Sequence, residues 1–479
     1  MDKSETTRTG RIVGVLAFAG IVAAIMQTVV IPLIAQFPQL LNTTASNASW
    51  VVTSTLLVAA VTTPVAGRLG DLYGKRRILL LSTVPLIAGS IVCALSSSVL
   101  PMIVGRGLQG MGVGIAPIGI SVLRDLLPPK RLGSAVALLS ASLGIGAAFG
   151  LPVSSAVAEY SNWRMLFWAS AVLCVFIAVA IWVVVPNTPI KATGSFDIAG
   201  AIGLGAGLIC LLLAVSKGAA WGWGSGTILT LFAAGIVVLL VWGWWELRIA
   251  DPLVDLRVTA RPRVLMTNAA SVVVGVAMYS AMLTVPQLLQ LPTSTGYGLG
   301  QSMLAMGLWM APSGLMMMLI SPLGARLSAV RDPKVTLIAG STVIALGYAA
   351  STLLMGSTWG LAVALCIINS GVGLAYGAMP ALIMAAVPLS ETASANSFNT
   401  LMRSVGTSIS AAVIGVVLAQ MSVSVGGYSI PTENGFRVSL FIGCGVAVVA
   451  AAVAATIPVR RSVSAEQSDS LEEPATARL

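Results

Sequence analysis

Fourteen long apolar runs constrain the fold of this chain of 479 residues more than any other feature. Each run is 19 to 27 residues long, and a helix needs about 20 apolar residues to cross the hydrocarbon core of a bilayer. Because lipid offers no hydrogen-bond partner to an exposed peptide group, such runs must be helices that pack together. The sequence therefore predicts an all-α integral membrane protein. The predicted spans are residues 12–36, 48–67, 78–98, 100–123, 133–158, 165–185, 198–216, 226–245, 264–290, 301–323, 335–354, 359–384, 397–421 and 438–457.

Charge and residue usage exclude several classes of function. Only 9% of the residues are charged, against about 25% in soluble proteins, which argues against a secreted enzyme and a disordered scaffold. The net charge of +10 comes from short segments between the apolar runs, so we expect no nucleic-acid partner. The chain has no histidine, and its five cysteines are scattered inside apolar runs. The sequence therefore predicts no catalytic residue, no metal site and no cofactor.

The distribution of basic residues sets the expected orientation. If the N-terminus is cytoplasmic, 22 of the 26 basic residues lie on the inner side, and Arg164, Lys217 and Arg437 lie outside. The remaining one, Arg106, lies within the fourth span. The positive-inside rule thus predicts cytoplasmic N- and C-termini in a multi-pass plasma (inner) membrane protein. No small-residue cleavage site follows the first run, so it is predicted to be a retained span.

The chain contains an internal repeat. Pro64 and Arg68 close the second span and recur 258 residues later as Pro322 and Arg326, and further matches at offsets of 259 and 260 follow in the next spans. Two parallel halves related by an axis along the membrane normal are typical of one class of secondary transporters, with the substrate site at the midplane between them. The predicted divisions are a cytoplasmic leader (1–11), an N-terminal six-helix half (12–185), two inserted helices with flanking loops (186–263), a C-terminal six-helix half (264–457) and a disordered cytoplasmic tail (458–479).

The loop after the second span carries the sequence GRLGDLYGKRR, residues 67–77. Gly67 and Gly74 permit tight turns, Asp71 can cap a helix N-terminus, and the basic residues face the anionic inner leaflet. A positive-inside loop alone would explain the basic residues but not the spacing of the glycines and the aspartate. This loop resembles the signature loop of the major facilitator superfamily.

Further motifs resemble one branch of that superfamily. The fourth span has RGLQGMGVG (106–114), which is similar to a motif with an arginine buried in that helix. The fifth has SLGIGAAFGLP (142–152), similar to the export motif through Gly146, Gly150 and Pro152, although Leu151 interrupts the usual Gly-Pro pair. The resemblance, to the fourteen-helix drug:proton antiporter family, covers residues 12–457 and implies alternating-access export of lipophilic compounds such as antibiotics, driven by proton entry. Its other motifs are NWRMLFW (162–168), FDIAG (196–200), DPLVDLR (251–257) and LMRSVGTSISAA (401–412).

The first span departs from the family pattern. Members usually carry an acid there, whereas the matching position is Met26, followed by Gln27. The fourteen predicted spans contain no Asp or Glu, so a coupling acid must come from a span edge or a loop. Glu159, beside the export motif, is one candidate; the alternative is that it is a hydrated residue at the interface. The available carboxylates are Asp71, Asp125, Glu159, Asp197 and Glu246.

Arg106 and Arg403 lie inside predicted spans, each about 9 Å from the span end at a helical rise of 1.5 Å per residue. An intramembrane charge is a functional-site hypothesis by default. Gln109 shares a helical face with Arg106, and we expect this pair to respond to proton or substrate charge. Arg403 either has a similar role or snorkels to the headgroups as a structural residue. The resemblance also implies a cytoplasmic conformational latch, which is predicted to comprise Gly67, Asp71, Gly74, Arg76, Arg124 and Asp125.

The predicted cavity has positive residues but no carboxylate, so it is a poor host for lipophilic cations. We therefore expect a neutral or anionic lipophilic substrate, with protons as the coupling ion and the lipid bilayer as the surroundings. Methionines, aromatics and amides adapt to varied ligands but are equally plausible in helix packing. The cavity candidates are Met26, Gln27, Tyr279, Met282, Gln287, Gln290, Trp309, Met310, Asn369, Tyr376 and Asn399.

These observations favour a monomeric secondary active exporter that is not an enzyme. An acid-free interior also fits a translocator of lipid or of a lipid-linked precursor, with weak or no proton coupling. A third alternative is a transport-like receptor without turnover, which saturable flux would exclude.

Overall fold

The computed structural model describes residues 3–33, 36–48, 50–187, 192–425 and 428–458. Within these residues, fourteen helical segments are long and apolar enough to cross a membrane, and each overlaps one predicted span. The α-helices are α1 (Lys3–Thr28), α2 (Phe37–Leu40), α3 (Ala45–Ala48), α4 (Trp50–Tyr73), α5 (Lys75–Leu95), α6 (Val99–Gly110), α7 (Ile115–Leu126), α8 (Pro129–Tyr160), α9 (Arg164–Val184), α10 (Ile198–Trp221), α11 (Gly226–Glu246), α12 (Leu256–Thr259), α13 (Pro262–Gln290), α14 (Met303–Val330), α15 (Pro333–Leu353), α16 (Thr358–Ala386), α17 (Thr392–Gln420) and α18 (Glu433–Ala455).

Several helices extend beyond their apolar runs. The first begins at Lys3, so residues 3–11 of the predicted leader belong to α1. Asp71, Glu159 and Glu246 lie within the ends of α4, α8 and α11. The absence of acids thus holds for the apolar runs but not for the full helices, because the helices continue past the ends of the runs. The predicted disordered tail lies almost entirely outside the described residues.

The fold is all-α in its membrane-spanning part, and a short hairpin lies between two of the helices. Strands β1 (Ser422–Val425) and β2 (Tyr428–Pro431) pair antiparallel between α17 and α18, with Ser422 opposite Pro431. The hydroxyl of Tyr297 donates to the carbonyl oxygen of Pro431. The hairpin lies outside the apolar runs, where hydropathy carries no helical signal.

The fourth span is two helices, α6 and α7, separated by a turn at 111–114. Its glycines allow close packing against α5: a Cβ at Gly105 would lie 2.8 Å from the carbonyl oxygen of Gly89, and a Cβ at Gly112 would lie 2.2 Å from Leu86 Cγ. Small residues that let helix backbones approach are the usual packing device in membranes.

Helices α1 and α4–α9 pack into one group, and α13–α18 pack into a second. The groups meet where α8 packs against α14 and α4 against α17, and the inserted helix α10 contacts both α4 and α17. We call the end of the bundle that holds the turns at Gly74, Pro128, Asp332 and Pro388 the basic face. The end with the turns at residues 161, 222 and 291 is the opposite face.

Candidate functional site

A buried arginine joins four helices of the first group. Arg106 on α6 is 2% exposed. Its Nη1 donates to Gln109 Oε1 at 2.7 Å and to the carbonyl oxygen of Met26 at 3.0 Å, and its Nε donates to the carbonyl oxygen of Val51 at 3.5 Å. Gln109 Nε2 donates to Ser90 Oγ on α5 at 2.8 Å. The Met26 carbonyl belongs to the last turn of α1, where helical partners run out, so the guanidinium caps that helix.

A small cavity of about 10 Å³ lies beside this arginine. Arg106, Gln109, Met26 and Gln27 line it, together with residues of α4 and α5. The structure therefore brings Arg106 and Gln109 of the fourth span next to Met26, the position at which the resemblance leads us to expect an acid. Met26 is buried and its sulfur contacts Cys174 Sγ at 3.7 Å, so an apolar side chain occupies the position of the usual acid.

Arg403, the second arginine inside a predicted span, faces a cavity between the two helix groups. The Arg403 guanidinium lies 4.4 Å from the ring centre of Tyr376, a cation–π contact. The cavity, about 20 Å³, is large enough for one water molecule. Residues of both helix groups line this cavity, so a movement of one group against the other would change its shape. The lining residues are Ile120, Leu139, Ser140, Leu143, Tyr376, Pro380, Asn396, Asn399, Thr400 and Arg403.

A polar network continues from this cavity. Asn399 Nδ2 donates to Asn268 Oδ1 at 2.8 Å and to Ser271 Oγ at 2.7 Å. The side-chain oxygen of Asn396 is buried without a hydrogen-bond partner. Sequence reasoning missed Asn268, Ser271 and Asn396. The available signal was the polar stripe at positions 396, 399 and 403, which share one face of α17 at helical spacing.

At the basic face, Asp71 of α4 holds the N-terminus of α17. Its Oδ1 accepts from Ala393 N at 3.2 Å and its Oδ2 from Ser394 N at 2.8 Å. A carboxylate at a helix N-terminus is favoured by the unpaired N–H groups and by the helix dipole. A Cβ at Gly67 would lie 2.4 Å from Ser397 Oγ, so glycine is required for this approach of α4 to α17.

Lys75 lies between two carboxylates in the same region. Its Nζ is 3.7 Å from Asp71 Oδ1 and 2.6 Å from Asp125 Oδ2, and all three side chains are buried. Gly74, with a φ of 100°, makes the turn that separates Asp71 from Lys75. The buried lysine therefore balances the two acids.

Arg124 adds a second tie between the groups. Its Nη1 donates to Thr392 Oγ1 at 2.6 Å, and its Nη2 donates to the carbonyl oxygens of Met384 and Val387 at 2.5 and 3.1 Å. Arg76, also predicted to belong to the latch, does not contact this cluster in the structure. Its guanidinium bonds to Asn187 Oδ1 at 3.1 Å and to the carbonyl oxygen of Trp182 at 2.5 Å. Because Arg76 directly follows Lys75 on α5, it points to α9 and not to the helix-group interface.

The export motif packs α8 between α1 and α14. A Cβ at Gly146 would lie 2.4 Å from the carbonyl oxygen of Ile21, and a Cβ at Gly150 would lie 2.1 Å from Thr28 Oγ1. On the α14 side, a Cβ at Gly307 would lie 3.0 Å from Pro152 Cα. The motif residues therefore set how closely three helices approach.

Gly146→Ala is expected to lower the free energy of unfolding by about 1 to 3 kcal/mol, because its methyl group overlaps the α1 backbone. The measurement is the Tm of detergent-purified protein. Gly133→Ala is the matched control, since Gly133 lies on the same helix and has no atom within 4 Å of the added Cβ. Equal Tm values for the two variants would contradict the packing argument.

The remaining predicted residues are dispersed. Glu159 is exposed at the opposite face, where its Oε2 accepts from Leu304 N at 3.3 Å and so caps α14. Trp309 Nε1 donates to Gln301 Oε1, and its ring contacts Trp359, which is 73% exposed. None of the remaining candidates lines either cavity described above: Tyr279, Met282, Gln287, Gln290, Trp309, Met310 and Asn369.

Comparison with known proteins gives consistent results. A model of the Major Facilitator Superfamily matches residues 16–411. The chain is 28% identical over 407 residues to an uncharacterised MFS-type transporter of Mycobacterium tuberculosis, covering 84% of this chain and 58% of that protein. It is 26% identical over 379 residues to the multidrug transporter protein MdtP of Bacillus subtilis, covering 78% of this chain and 69% of that protein. It is 25% identical over 383 residues to a probable actinorhodin transporter of Streptomyces coelicolor, covering 77% and 65%. The chain thus spans about 60% of the length of the first of these curated relatives.

Solved structures show the same fold. The human organic anion transporter MFSD10 superposes with a TM-score of 0.67 at 13% identity, covering 93% of this chain and 99% of that one. The proton:xylose symporter XylE superposes with a TM-score of 0.65 at 13% identity, covering 95% and 97%. At this identity the likeness establishes the architecture and not the substrate.

Proposed function

The chain belongs to the Major Facilitator Superfamily, and on that premise we propose that it is a secondary active exporter of lipophilic small molecules such as antibiotics. Its relatives include proteins named as a multidrug transporter, a multidrug resistance protein homologue and a probable actinorhodin transporter. The fold has two helix groups that meet at α8–α14 and α4–α17, which suits alternating access by rocking of one group against the other. The transporter works as a monomer in this proposal.

In this proposal the basic face is cytoplasmic. Its excess of lysine and arginine supports that orientation. Asp71 and Arg124 then close the cytoplasmic side in the state described here, because both bind the segment that leads into α17. Breaking these contacts would open the central region to the cytoplasm.

The residues that line the cavity between the helix groups support a proposal about the charge of the substrate. Arg403 and Tyr376 line it with amides and hydroxyls, and no Asp or Glu is among the lining residues of either described cavity. A buried cation would find no charge partner there, whereas an anionic or polar group could pair with the guanidinium. The substrate is therefore neutral or anionic.

Proton antiport is proposed as the energy source. Glu159 does not fit the role of a buried coupling acid, because it is exposed and caps α14. The other four carboxylates considered above, Asp71, Asp125, Asp197 and Glu246, have buried side chains.

The test is drug tolerance in a pump-deficient host that expresses the protein, with anionic, neutral and quaternary ammonium lipophilic compounds. Tolerance to the first two classes that is lost when an ionophore collapses the proton gradient supports the proposal. Better export of a quaternary ammonium dye than of its neutral analogue would contradict the proposal that the substrate is neutral or anionic. Tolerance to no compound would favour translocation of lipid or a lipid-linked precursor.

Arg403→Gln is expected to reduce export of the anionic compound about tenfold, because a charge-assisted hydrogen bond contributes about 1.5 to 3 kcal/mol. Export of the neutral analogue is expected to fall less. Uptake into inverted membrane vesicles measures both. Arg437→Gln is the control, since Arg437 is an exposed arginine paired with Glu433 at the opposite face. An equal loss for both compounds would assign Arg403 a packing role.

A further inference from the structure

Two carboxyl groups are buried at the basic-face end of the inserted helices. Asp197 directly precedes α10 and is 5% exposed; its Oδ1 accepts from Gly200 N at 2.8 Å and its Oδ2 from Trp245 Nε1 at 3.1 Å. Glu246 ends α11 and is 2% exposed, and its Oε2 accepts from Val254 N at 3.4 Å. Both carboxyl groups are therefore withdrawn from bulk water.

The two groups approach each other at Gly200. A Cβ at this position would lie 2.0 Å from Asp197 Oδ2 and 2.6 Å from Glu246 Oε1, so the glycine leaves the space that both oxygens occupy. Glu246 Oε1 is buried without a hydrogen-bond partner. Trp242 Nε1, one turn earlier on α11, and the backbone N–H of Leu253 are neighbouring donors, but neither makes a hydrogen bond of normal geometry to Glu246.

Among the described residues, no lysine or arginine forms an ion pair with either acid. Asp197 is the charged side chain that approaches Glu246 at Gly200. Arg248 instead lies over the Trp244 ring at 4.0 Å, and Asp251 accepts from Ser195 N at 3.0 Å. The other charged groups near this end of the packed elements are Asp255 and Arg257 after α11, Arg68, Asp71 and Lys75 on or next to α4, and Glu391 before α17.

Two neighbouring carboxylates without a cation cannot both ionise at low cost, and one bound proton removes the repulsion. We propose that Asp197 and Glu246 together form a proton-binding site, in which Glu246 carries the proton on its unpartnered oxygen. This deepens the proton coupling proposed above and rests on it for its use in transport. The proton leaves the Glu246 carboxyl for cytoplasmic water, and the carboxylate is regenerated.

A chain of contacts connects this site to the latch at the basic face. Glu246 holds the backbone N–H of Val254, and the adjacent carbonyl oxygen of Leu253 accepts from Ser394 Oγ at 3.3 Å. The backbone N–H of Ser394 binds Asp71. Leu253 and Val254 are buried in an apolar cluster with side chains of α4, α10 and α17.

The protonated pair therefore fits the closed basic face. Loss of the proton leaves two negative charges in one buried site, which weakens the packing of the 253–254 segment against α17. Release of the proton to the cytoplasm and opening of that side then favour each other, as proton antiport requires.

Carbodiimide labelling of the full-length protein in lipid nanodiscs tests the site, because the reagent modifies protonated carboxyl groups in apolar surroundings. Peptide mass spectrometry at pH 7 is expected to find the label on Glu246, with little on the exposed, ion-paired Glu433. Asp197→Asn keeps a helix-capping side chain but removes the neighbouring charge, and it is expected to lower labelling of Glu246 at least about threefold.

Absence of label on Glu246 at pH 7, or label that Asp197→Asn leaves unchanged, would overturn the shared-proton site. Protection by Na⁺ at constant pH would overturn it in favour of a cation site. Labelling requires no transport, so a protein that is labelled as expected but exports nothing would refute the proposed function alone.

Hydrogen exchange tests the link to the latch. Glu246→Gln keeps a side-chain oxygen for Val254 and stays neutral, so at pH 9 exchange of amides 392–397 is expected to be about tenfold slower than in the unmodified protein. Glu433→Gln, at the opposite face, is the matched control. Equal exchange in all three proteins would refute the coupling of the site to the latch.

Discussion

Arg106→Ala is expected to abolish export and to lower the thermal stability of the protein. The change leaves Gln109 Oε1 and the carbonyl oxygen of Met26 buried without their donor. Each such unsatisfied group costs about 1 to 3 kcal/mol, and a loss of 2 kcal/mol reduces the population of the working state about thirtyfold. Drug tolerance in the pump-deficient host and the Tm of the purified protein measure the two effects.

Arg106→Lys separates charge from geometry. Lysine keeps the positive charge, but it lacks the planar guanidinium that binds several acceptors at once. We therefore expect a Tm between those of Arg106→Ala and the unmodified protein, and strongly reduced export. Tolerance and Tm values for Arg106→Ala equal to those of the unmodified protein would contradict the capping of α1 by this arginine.

Asp71→Asn is expected to shift the protein towards the state that is open at the basic face. The amide replaces one of the two accepting oxygens by an NH2 group that faces a backbone N–H, and it leaves Lys75 with one carboxylate in place of two. Charge-assisted hydrogen bonds contribute about 1.5 to 3 kcal/mol, so the equilibrium moves by roughly tenfold or more. Hydrogen exchange of amides 392–397 reports the shift as faster exchange.

Glu159→Gln is the matched control for this variant, because Glu159 also accepts from a helix N-terminus but is exposed at the opposite face. Its exchange at 392–397 should match that of the unmodified protein. Slower or unchanged exchange in Asp71→Asn would show that Asp71 does not hold α17 in place.

Some contacts of the site could be predicted from the sequence because the two residues are near each other in the chain, and others could not. Arg106 and Gln109 are three residues apart on one helix, so their pairing follows from helical spacing alone. Asp71 and Lys75 are also close in sequence, but they lie on two helices, and their ion pair depends on the turn at Gly74 and not on helical spacing. The partners of Arg124 lie about 260 residues further along the chain, and no local pattern encodes that contact.

The helix ends were less predictable than the spans. Hydropathy locates the apolar runs, but α4 continues to Tyr73 and α11 to Glu246 through backbone hydrogen bonding in the polar zone. For this reason the sequence placed Asp71 and Glu246 outside the spans, whereas the structure buries both.

The fourteen helices of the described part that are long and apolar enough to cross a membrane follow from the sequence alone, because transfer into lipid depends on the local run of apolar residues. Contacts between distant residues depend instead on how the helices pack: Asp197 approaches Glu246, Arg403 lies over Tyr376, and Asp71 binds the N-terminus of α17. Within a membrane, burial of apolar surface does not select one helix neighbour over another. The close approach of small residues and the pairing of buried polar groups make that selection, and both depend on residues far apart in the chain.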